Sequence, residues 1–181
     1  MYKRQTVHHA ILFSGQKGSA NLSLSLAFST YINCEQKSET DSCGECSSCI
    51  KMDKLIHPDV NFVFPVAPTP KINKEVISDK FIESWRSYVI ESPYLSIDDW
   101  FEIYGFENKQ PNISKDEVRN LIKKLTLKPF ESNFKINILW LPEFLHLSTS
   151  NAMLKVLEEP PGNTLFFLVT NNDQKLISTI K

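Results

Sequence analysis

The chain has 181 residues, 41% of them hydrophobic, and its 20 basic and 21 acidic residues leave a formal net charge of −1. This length suits one α/β domain, because two domains of this size would each have a cramped core. A charged fraction of 23% together with 12 Phe excludes a disordered chain. The near-zero net charge removes a globally basic surface as an argument for nucleic-acid binding, although a local basic face stays open.

Neither end of the sequence shows a membrane or export signal. No apolar run approaches the ~18–20 residues needed to span a bilayer. The first nine residues, which end in His8 and His9, lack the apolar stretch of a secretory signal. The sequence therefore predicts a soluble, cytoplasmic protein.

Apolar runs and helical patterns alternate along most of the chain, which predicts an α/β fold. Strands buried on both faces form parallel sheets covered by helices, so a mostly parallel sheet is expected. Ser114, followed three residues later by Glu117, predicts a capping box, and Ser148 is the predicted N-cap of the last helix. The predicted strands are 10–13, 60–64, 135–141 and 164–170, and the predicted helices are 19–31 and those that follow Ser114 and Ser148.

Residues 66–112 differ from the rest because they open with prolines and are rich in Trp, Tyr and Phe. Helices are predicted near 75–91 and 97–104, with Ser96 as the N-cap of the second. So many aromatic side chains are unfavourable in water, so we expect a helical insertion that packs on the main domain. A partner-binding surface is the alternative interpretation.

All four cysteines of the chain are clustered, at Cys34, Cys43, Cys46 and Cys49. Pairing within C-x2-C-x2-C would need strained disulfides, which the reducing cytosol also opposes. Four thiolates at this spacing are typical of a closed, structural Zn2+ site. Unliganded thiols and an iron–sulfur cluster are the alternatives. A nucleic-acid-reading zinc ribbon is disfavoured because only Gly, Glu and Ser separate the last three ligands.

Several motifs occur in the order found in a known family: residues 8–15, the cysteine cluster, His57-Pro58-Asp59 and residues 151–161. Together they resemble the bacterial DNA polymerase III clamp-loader subunits, the delta-prime and gamma/tau group of the AAA+ class. The similarity covers roughly 2–65 and 113–181, and the segment 151–161 departs from the family signature only at Met153. This resemblance implies a P-loop NTPase-type, three-layer α/β/α domain.

The phosphate-binding loop departs from that family pattern. A working P-loop has G-x-x-x-x-G-K-[ST], whose backbone and Lys hold phosphates and whose hydroxyl binds Mg2+. The loop here starts at Gly15 and includes Lys17 and Gly18, but Asn21 and Leu22 stand where the Lys and the Ser or Thr are expected. Lys17 comes too early to replace the missing lysine. Weak anion binding by the backbone of residues 15–18 is the remaining alternative.

The acidic pair on the other side of the expected pocket is missing as well. An active member ends its third core strand with Asp-Glu, for Mg2+ and the attacking water. The matching positions here are Trp140 and Leu141, which cannot coordinate a hard cation. Glu143 lies two residues further on and is expected to face solvent. We therefore predict no ATP cofactor, no ATP hydrolysis and no catalytic residue in this chain.

Within the family, this loss of both nucleotide motifs is typical of the delta-prime branch, which acts as a rigid stator. The resemblance implies gamma/tau and delta as partners, with the sliding clamp and primed DNA contacted through the complex. The family's Ser-Arg-Cys motif would follow Lys181, so we expect a truncated chain without that arginine, the lid or the C-terminal collar domain. Such a chain is expected to be monomeric alone. His57 is interpreted as the cap of a turn, and His8, His9 and His146 as non-catalytic.

Overall fold

The computed structural model describes residues 8–92, 94, 96–106 and 109–176. Its sheet is fully parallel, with the strands in the order β1-β4-β3-β2. All four predicted strands are confirmed, with ends that differ by at most one residue from the prediction. They are β1 (Ala10–Ser14), β2 (Val60–Val63), β3 (Lys135–Trp140) and β4 (Thr164–Thr170).

Helices cover both faces of this sheet. On one face lie α1 (Asn21–Asn33), α2 (Ser47–Asp53), α3 (Ile82–Glu91) and α4 (Ile97–Tyr104), and on the other α5 (Lys115–Leu125) and α6 (Leu147–Glu158). Neighbouring residues of the central strands alternate between the two cores: Ile138 joins the first and Leu139 the second. Every residue of β3 and β4 is buried, which explains their nearly unbroken apolar sequence.

The insertion packs on the main domain, as predicted. Trp85 and Trp100 have fully buried side chains within the first core. Trp85 stacks on Phe64 at a centroid distance of 4.7 Å, and the indole N–H of Trp100 donates to the carbonyl of Pro65 at 3.1 Å. Ser96 caps α4 in a complete capping box with Asp99. The insertion therefore covers the β2 side of the sheet with aromatic rings.

Two predicted caps are wrong in part. The Ser114 hydroxyl accepts the Glu117 N–H at 3.2 Å, but the Glu117 carboxylate accepts from the N–H and hydroxyl of Ser78, at 2.5 and 2.7 Å, instead of completing the box. Burial raises the pKa of Glu117 to about 7. Helix α6 begins at Leu147, so Ser148 lies inside it and is not its N-cap. In the described part of the chain, no helix has the length and apolar character to cross a membrane.

Asp59 is the buried carboxylate that ties the start of β2 to the segment before β3. Its oxygens accept the N–H groups of Phe130, Glu131 and Ser132 at 2.5, 2.9 and 2.8 Å, and the Ser132 hydroxyl at 2.9 Å. The Nδ1 atom of His57 accepts the Asp59 N–H at 3.1 Å, which confirms the predicted turn cap. Burial alone would raise the pKa of Asp59, but these donors favour the charged form and lower it.

We expect Asp59→Asn to lower the free energy of unfolding by about 1–3 kcal/mol at pH 7, because an amide nitrogen cannot accept and leaves buried N–H groups unpaired. Since the pKa of Asp59 is lower in the folded state, the stabilisation is complete above about pH 4 and is lost as the pH falls through the folded-state pKa. Urea unfolding followed by tryptophan fluorescence at several pH values measures both effects.

The matched control is Asp53→Asn, which changes an exposed aspartate at the end of α2. This variant should keep wild-type stability within about 0.5 kcal/mol. Equal stability of the Asp59→Asn and wild-type proteins at pH 7 would show that the carboxylate does not hold the loop.

Candidate functional site

The four cysteine sulfurs converge on one point of the structure. The Sγ atoms of Cys34, Cys43, Cys46 and Cys49 all lie within 4.8 Å of one another. The distance from the sulfur of Cys43 is 3.5 Å to that of Cys34 and 3.9 Å to that of Cys49. A tetrahedral Zn2+ with Zn–S bonds of about 2.3 Å has S–S edges of about 3.8 Å. The cluster therefore has the dimensions of a Zn(Cys)4 site.

The local backbone brings the ligands together in two steps. Cys34 follows the last residue of α1, and Gly44 turns the chain between the next two ligands with a φ of +75°, which favours glycine. Cys46 is the N-cap of α2, where its sulfur accepts the Cys49 N–H at 3.5 Å. A helix of seven residues is marginal alone, so metal ligation at its first turn would stabilise it.

Backbone N–H donors lie against the sulfur atoms and lower the pKa of Cys34 and Cys46, whereas burial raises the pKa of Cys49 to about 12. The Cys43 N–H donates to the Cys34 sulfur and the Cys46 N–H to the Cys43 sulfur, both at 3.3 Å. Burial opposes ionisation, yet the N–H groups of Cys49 and Glu35 lower the pKa of Cys46 to about 6. Thiolate ligands with N–H donors and no open edge fit a structural metal ion, which would hold the loop and leave no position for a reacting molecule.

The second candidate site lies at the carboxyl end of the sheet, where residues 15–20 join β1 to α1. We call these residues the phosphate loop, after the P-loop pattern expected there. The amide of Asn21 donates to the Thr170 carbonyl at 2.9 Å and to the Asn171 side-chain oxygen at 3.0 Å. Its own oxygen accepts the Leu22 N–H at 2.9 Å, and the Leu22 side chain is buried in the core. The two residues at the expected lysine and hydroxyl positions thus bond to the protein itself.

Lys17, the lysine of the phosphate loop, also has a partner within the chain. The Lys17 ammonium forms an ion pair with the Asp98 carboxylate of α4, and both side chains are exposed. Gly18 turns the loop with a φ of +80°. The Ser19 side chain occupies the space that a Cβ at Gly15 would need, so the start of the loop requires glycine. Contact between the insertion and the phosphate loop left no signal in the sequence.

The strand opposite the loop presents no carboxylate at its end. Trp140 and Leu141 are each 1% exposed, and Leu141 adopts a φ of +59° while its N–H donates to the Val169 carbonyl at 2.7 Å. The expectation that Glu143 faces solvent is wrong. Its carboxylate accepts the Thr170 hydroxyl at 2.9 Å and the Asn171 N–H at 3.2 Å, because the chain turns back after Pro142. Burial raises the pKa of Glu143.

The remaining sequence candidates do not form a catalytic arrangement. His8, His9 and His146 are exposed, while His57 is buried beside Asp59 and Glu131. Within the described ranges, the four cysteines are the group of His, Cys, Asp and Glu side chains that could hold a metal ion. The described chain therefore offers a cysteine cluster that could hold a metal ion and a loop after β1 whose Lys17 and following Asn21 are bonded within the protein, while the buried Ser19 hydroxyl has no hydrogen-bond partner.

Comparison with known proteins gives consistent matches over the whole chain. A family model described as DNA polymerase III, delta subunit, matches residues 1–181. DNA polymerase III subunit delta' of Yersinia pestis is 30% identical over 176 residues, which are 96% of this chain and 39% of that protein. The delta' subunit of Buchnera aphidicola is 28% identical over 183 residues, which are 100% of this chain and 42% of that protein.

Subunit tau of Bacillus subtilis is also similar, with 27% identity over 172 residues, which are 95% of this chain and 23% of that protein. The chain thus spans about two fifths of the length of the delta' relatives it matches. Because the chain is similar to both kinds of subunit, sequence identity alone does not assign it to one of them. The residues at the expected nucleotide-binding positions are therefore the feature that can separate the two assignments.

For the cysteine cluster, we expect one Zn2+ per chain in protein purified without chelators, held at about 2.3 Å by each sulfur. Cys49→Ser should release the metal and loosen residues 34–50 while the sheet stays folded, because the core strands lie elsewhere. Elemental analysis measures the stoichiometry, and Ser47→Ala is the matched control on the same helix. Purified protein that contains iron or no metal would contradict the assignment.

For the phosphate loop, we expect no ATP binding at cellular concentrations. Loss of the lysine removes a charge-assisted contact of about 1.5–3 kcal/mol, and each 1.4 kcal/mol weakens affinity about tenfold. Asn21 would also have to leave its two partners on the β4 side before a phosphate could enter. Isothermal titration calorimetry with Mg2+ and ATP tests this, with a gamma/tau subunit as the positive control. A micromolar Kd would refute it.

Proposed function

We propose that this chain, which belongs to the DNA polymerase III delta-subunit family, acts as a non-hydrolysing, delta-prime-type stator of the clamp loader. In this role it would bind gamma/tau and delta subunits and help load the sliding clamp onto primed DNA during replication. The clamp and the DNA would be reached through the complex. The similarity to delta' subunits along the whole chain supports the delta-prime assignment.

One observation carries the stator part of the proposal: the side chains at the nucleotide-binding positions are bonded or packed within the protein. Asn21 bridges α1 to the end of β4, and Leu22 is buried. Trp140 and Leu141 close the opposite side without an acidic group. A rigid, nucleotide-independent domain suits a subunit that acts by its surfaces.

The second candidate function is that of a gamma/tau-like subunit with weak residual nucleotide binding. The similarity to tau subunits favours it, as does the retention of Gly15 and Gly18, since backbone N–H groups alone can bind an anion. The Lys17–Asp98 ion pair counts against it, because the lysine of the loop already has an acidic partner within the chain. The calorimetric titration described above separates the two functions.

The stator role places a motor subunit beside the carboxyl end of the sheet. β4 ends there at Thr170, and a short 310 turn, Asp173–Lys175, continues from it. The family's Ser-Arg-Cys motif would follow residue 181, so its arginine would have to meet the neighbour's γ-phosphate near this end. The interface is therefore expected to include the segment 171–181, of which residues 177–181 lie outside the described residues.

In a loader reconstituted from full-length subunits, changing the arginine of the expected Ser-Arg-Cys motif to Ala should lower DNA-stimulated ATPase activity by 10-fold or more. The reason is that an arginine acting in trans stabilises transition-state charge, for which effects of ~10³ and above are known. ATP binding by gamma/tau, measured separately, should stay unchanged. If the ATPase activity is unaltered, the proposed stator role is wrong and the subunit acts as a structural spacer.

The chain of 181 residues should itself be monomeric in light scattering at micromolar concentration. In the family the collar provides the strongest contacts, and an interface below ~1,000 Å2 is too small for a stable oligomer. A stable dimer of this chain would contradict the expectation that its assembly depends on contacts made by other parts of the loader. The full-length protein, in contrast, should join the complex with gamma/tau and delta.

A further inference from the structure

The loop between α5 and β3 carries the most exposed large apolar side chains of the described residues. Phe130 is 83% exposed and Leu127 is 67% exposed. We call residues 127–130 the apolar loop. Because it precedes β3, it lies at the amino-terminal edge of the sheet, opposite the phosphate loop.

Two buried charged side chains fix the backbone of this loop. Asp59 accepts the N–H of Phe130 and of the two residues that follow it. The Lys135 ammonium donates to the carbonyl of Lys124 at 2.7 Å and also to that of Leu127. Each end of the apolar loop is thus bonded to a buried charge. The loop is therefore a fixed projection of the domain.

The same segment is also held through the Glu131 side chain. One carboxylate oxygen lies 2.5 Å from the Lys51 ammonium, and the other lies 3.3 Å from Nε2 of His57. Nδ1 of His57 accepts the Asp59 N–H, so a neutral His57 ring carries its proton on Nε2, which faces Glu131. Glu131 thus joins the apolar loop to α2 through Lys51 and lies beside His57, whose Nε2 makes no hydrogen bond.

Lys51 and His57 both belong to the segment that begins with two metal ligands. Cys46 caps α2, Cys49 lies in its first turn, and Lys51 lies in its last turn. After α2 the chain passes directly through His57 to Asp59. Since α2 has only seven residues, its position depends on what holds its ends. A metal bound at the first turn would therefore fix the positions of Lys51 and His57.

We propose that a metal ion held by the four cysteines braces the apolar loop through α2, Lys51 and Glu131. This inference goes beyond the expected local effect of the metal on residues 34–50, because it extends that effect to residues 127–132. The brace and the nucleotide pocket lie at opposite edges of the sheet. The inference therefore gives the metal centre a role that does not depend on ATP.

Hydrogen exchange of the full-length, metal-loaded protein tests the brace directly. Chelation of the metal should speed exchange of the Phe130, Glu131 and Ser132 amides by at least tenfold, since their partner Asp59 follows the loosened segment. The β4 amides should keep their protection and serve as the internal control. Faster exchange confined to residues 34–50, or protein that carries no metal, would overturn the proposal.

Variants that leave the cysteines intact separate the brace from general unfolding. In metal-loaded protein, Glu131→Gln and Lys51→Met should each speed exchange of the same three amides about threefold or more, with the zinc content unchanged. Lys54→Met, an exposed lysine after α2, is the matched control and should have no effect. Chelation should then add less in Glu131→Gln than in the wild-type protein, because the negative charge that pairs with Lys51 is already gone.

These variants also test the brace if chelation speeds exchange of the β4 amides and so unfolds the whole domain. Faster exchange at residues 130–132 with the metal retained supports the brace. Wild-type exchange rates in both Glu131→Gln and Lys51→Met overturn it, whatever chelation does.

Discussion

A single buried carboxylate organises the amino-terminal edge of the sheet. Asp59 is 1% exposed, and an ion in such a position is unfavourable unless donors replace its lost hydration. Three consecutive backbone N–H groups and one hydroxyl supply them. The loop before β3 must therefore adopt the conformation that points these groups at Asp59. This constraint also sets where β3 begins and where Glu131 meets the cysteine-bearing segment.

At the carboxyl-terminal edge of the sheet, most of the hydrogen-bonding side chains are uncharged. A nucleotide site holds its charged lysine and acidic residues in balance with phosphate and Mg2+. Here neutral amides and hydroxyls satisfy one another: Asn21, Thr170 and Asn171 form one network, and the carboxylate of Glu143 joins it. Such a network is complete without a ligand. It ties the start of α1 to the end of β4.

The sequence predicts the parts of this structure that depend on local patterns. Strands buried on both faces produce continuous apolar runs, and cysteines at short spacing form a distinct motif, so the four strands and the clustering of the cysteines could be predicted. Two of the errors concern contacts between residues that are distant in the sequence. Glu117 contacts Ser78, and Glu143 contacts Thr170, across 39 and 27 residues. A capping pattern at Ser114 gives no information about a competing partner in the insertion.

The insertion and the cysteine module solve the same physical problem in different ways. Both are additions to a sheet whose core is complete only when its faces are covered. The insertion has enough aromatic surface to bury Trp85 and Trp100 fully, so hydrophobic burial is sufficient to hold it. The segment from Cys34 to Cys49 is polar and contributes no residue to the two hydrophobic clusters, and the next residue of the chain that does so is Met52 of α2. A segment of that composition gains little from burial to offset its loss of conformational entropy, and a metal ion bound by the four cysteines would supply the missing stabilisation. The difference explains why four thiolates lie in the one addition to the fold that lacks large apolar side chains.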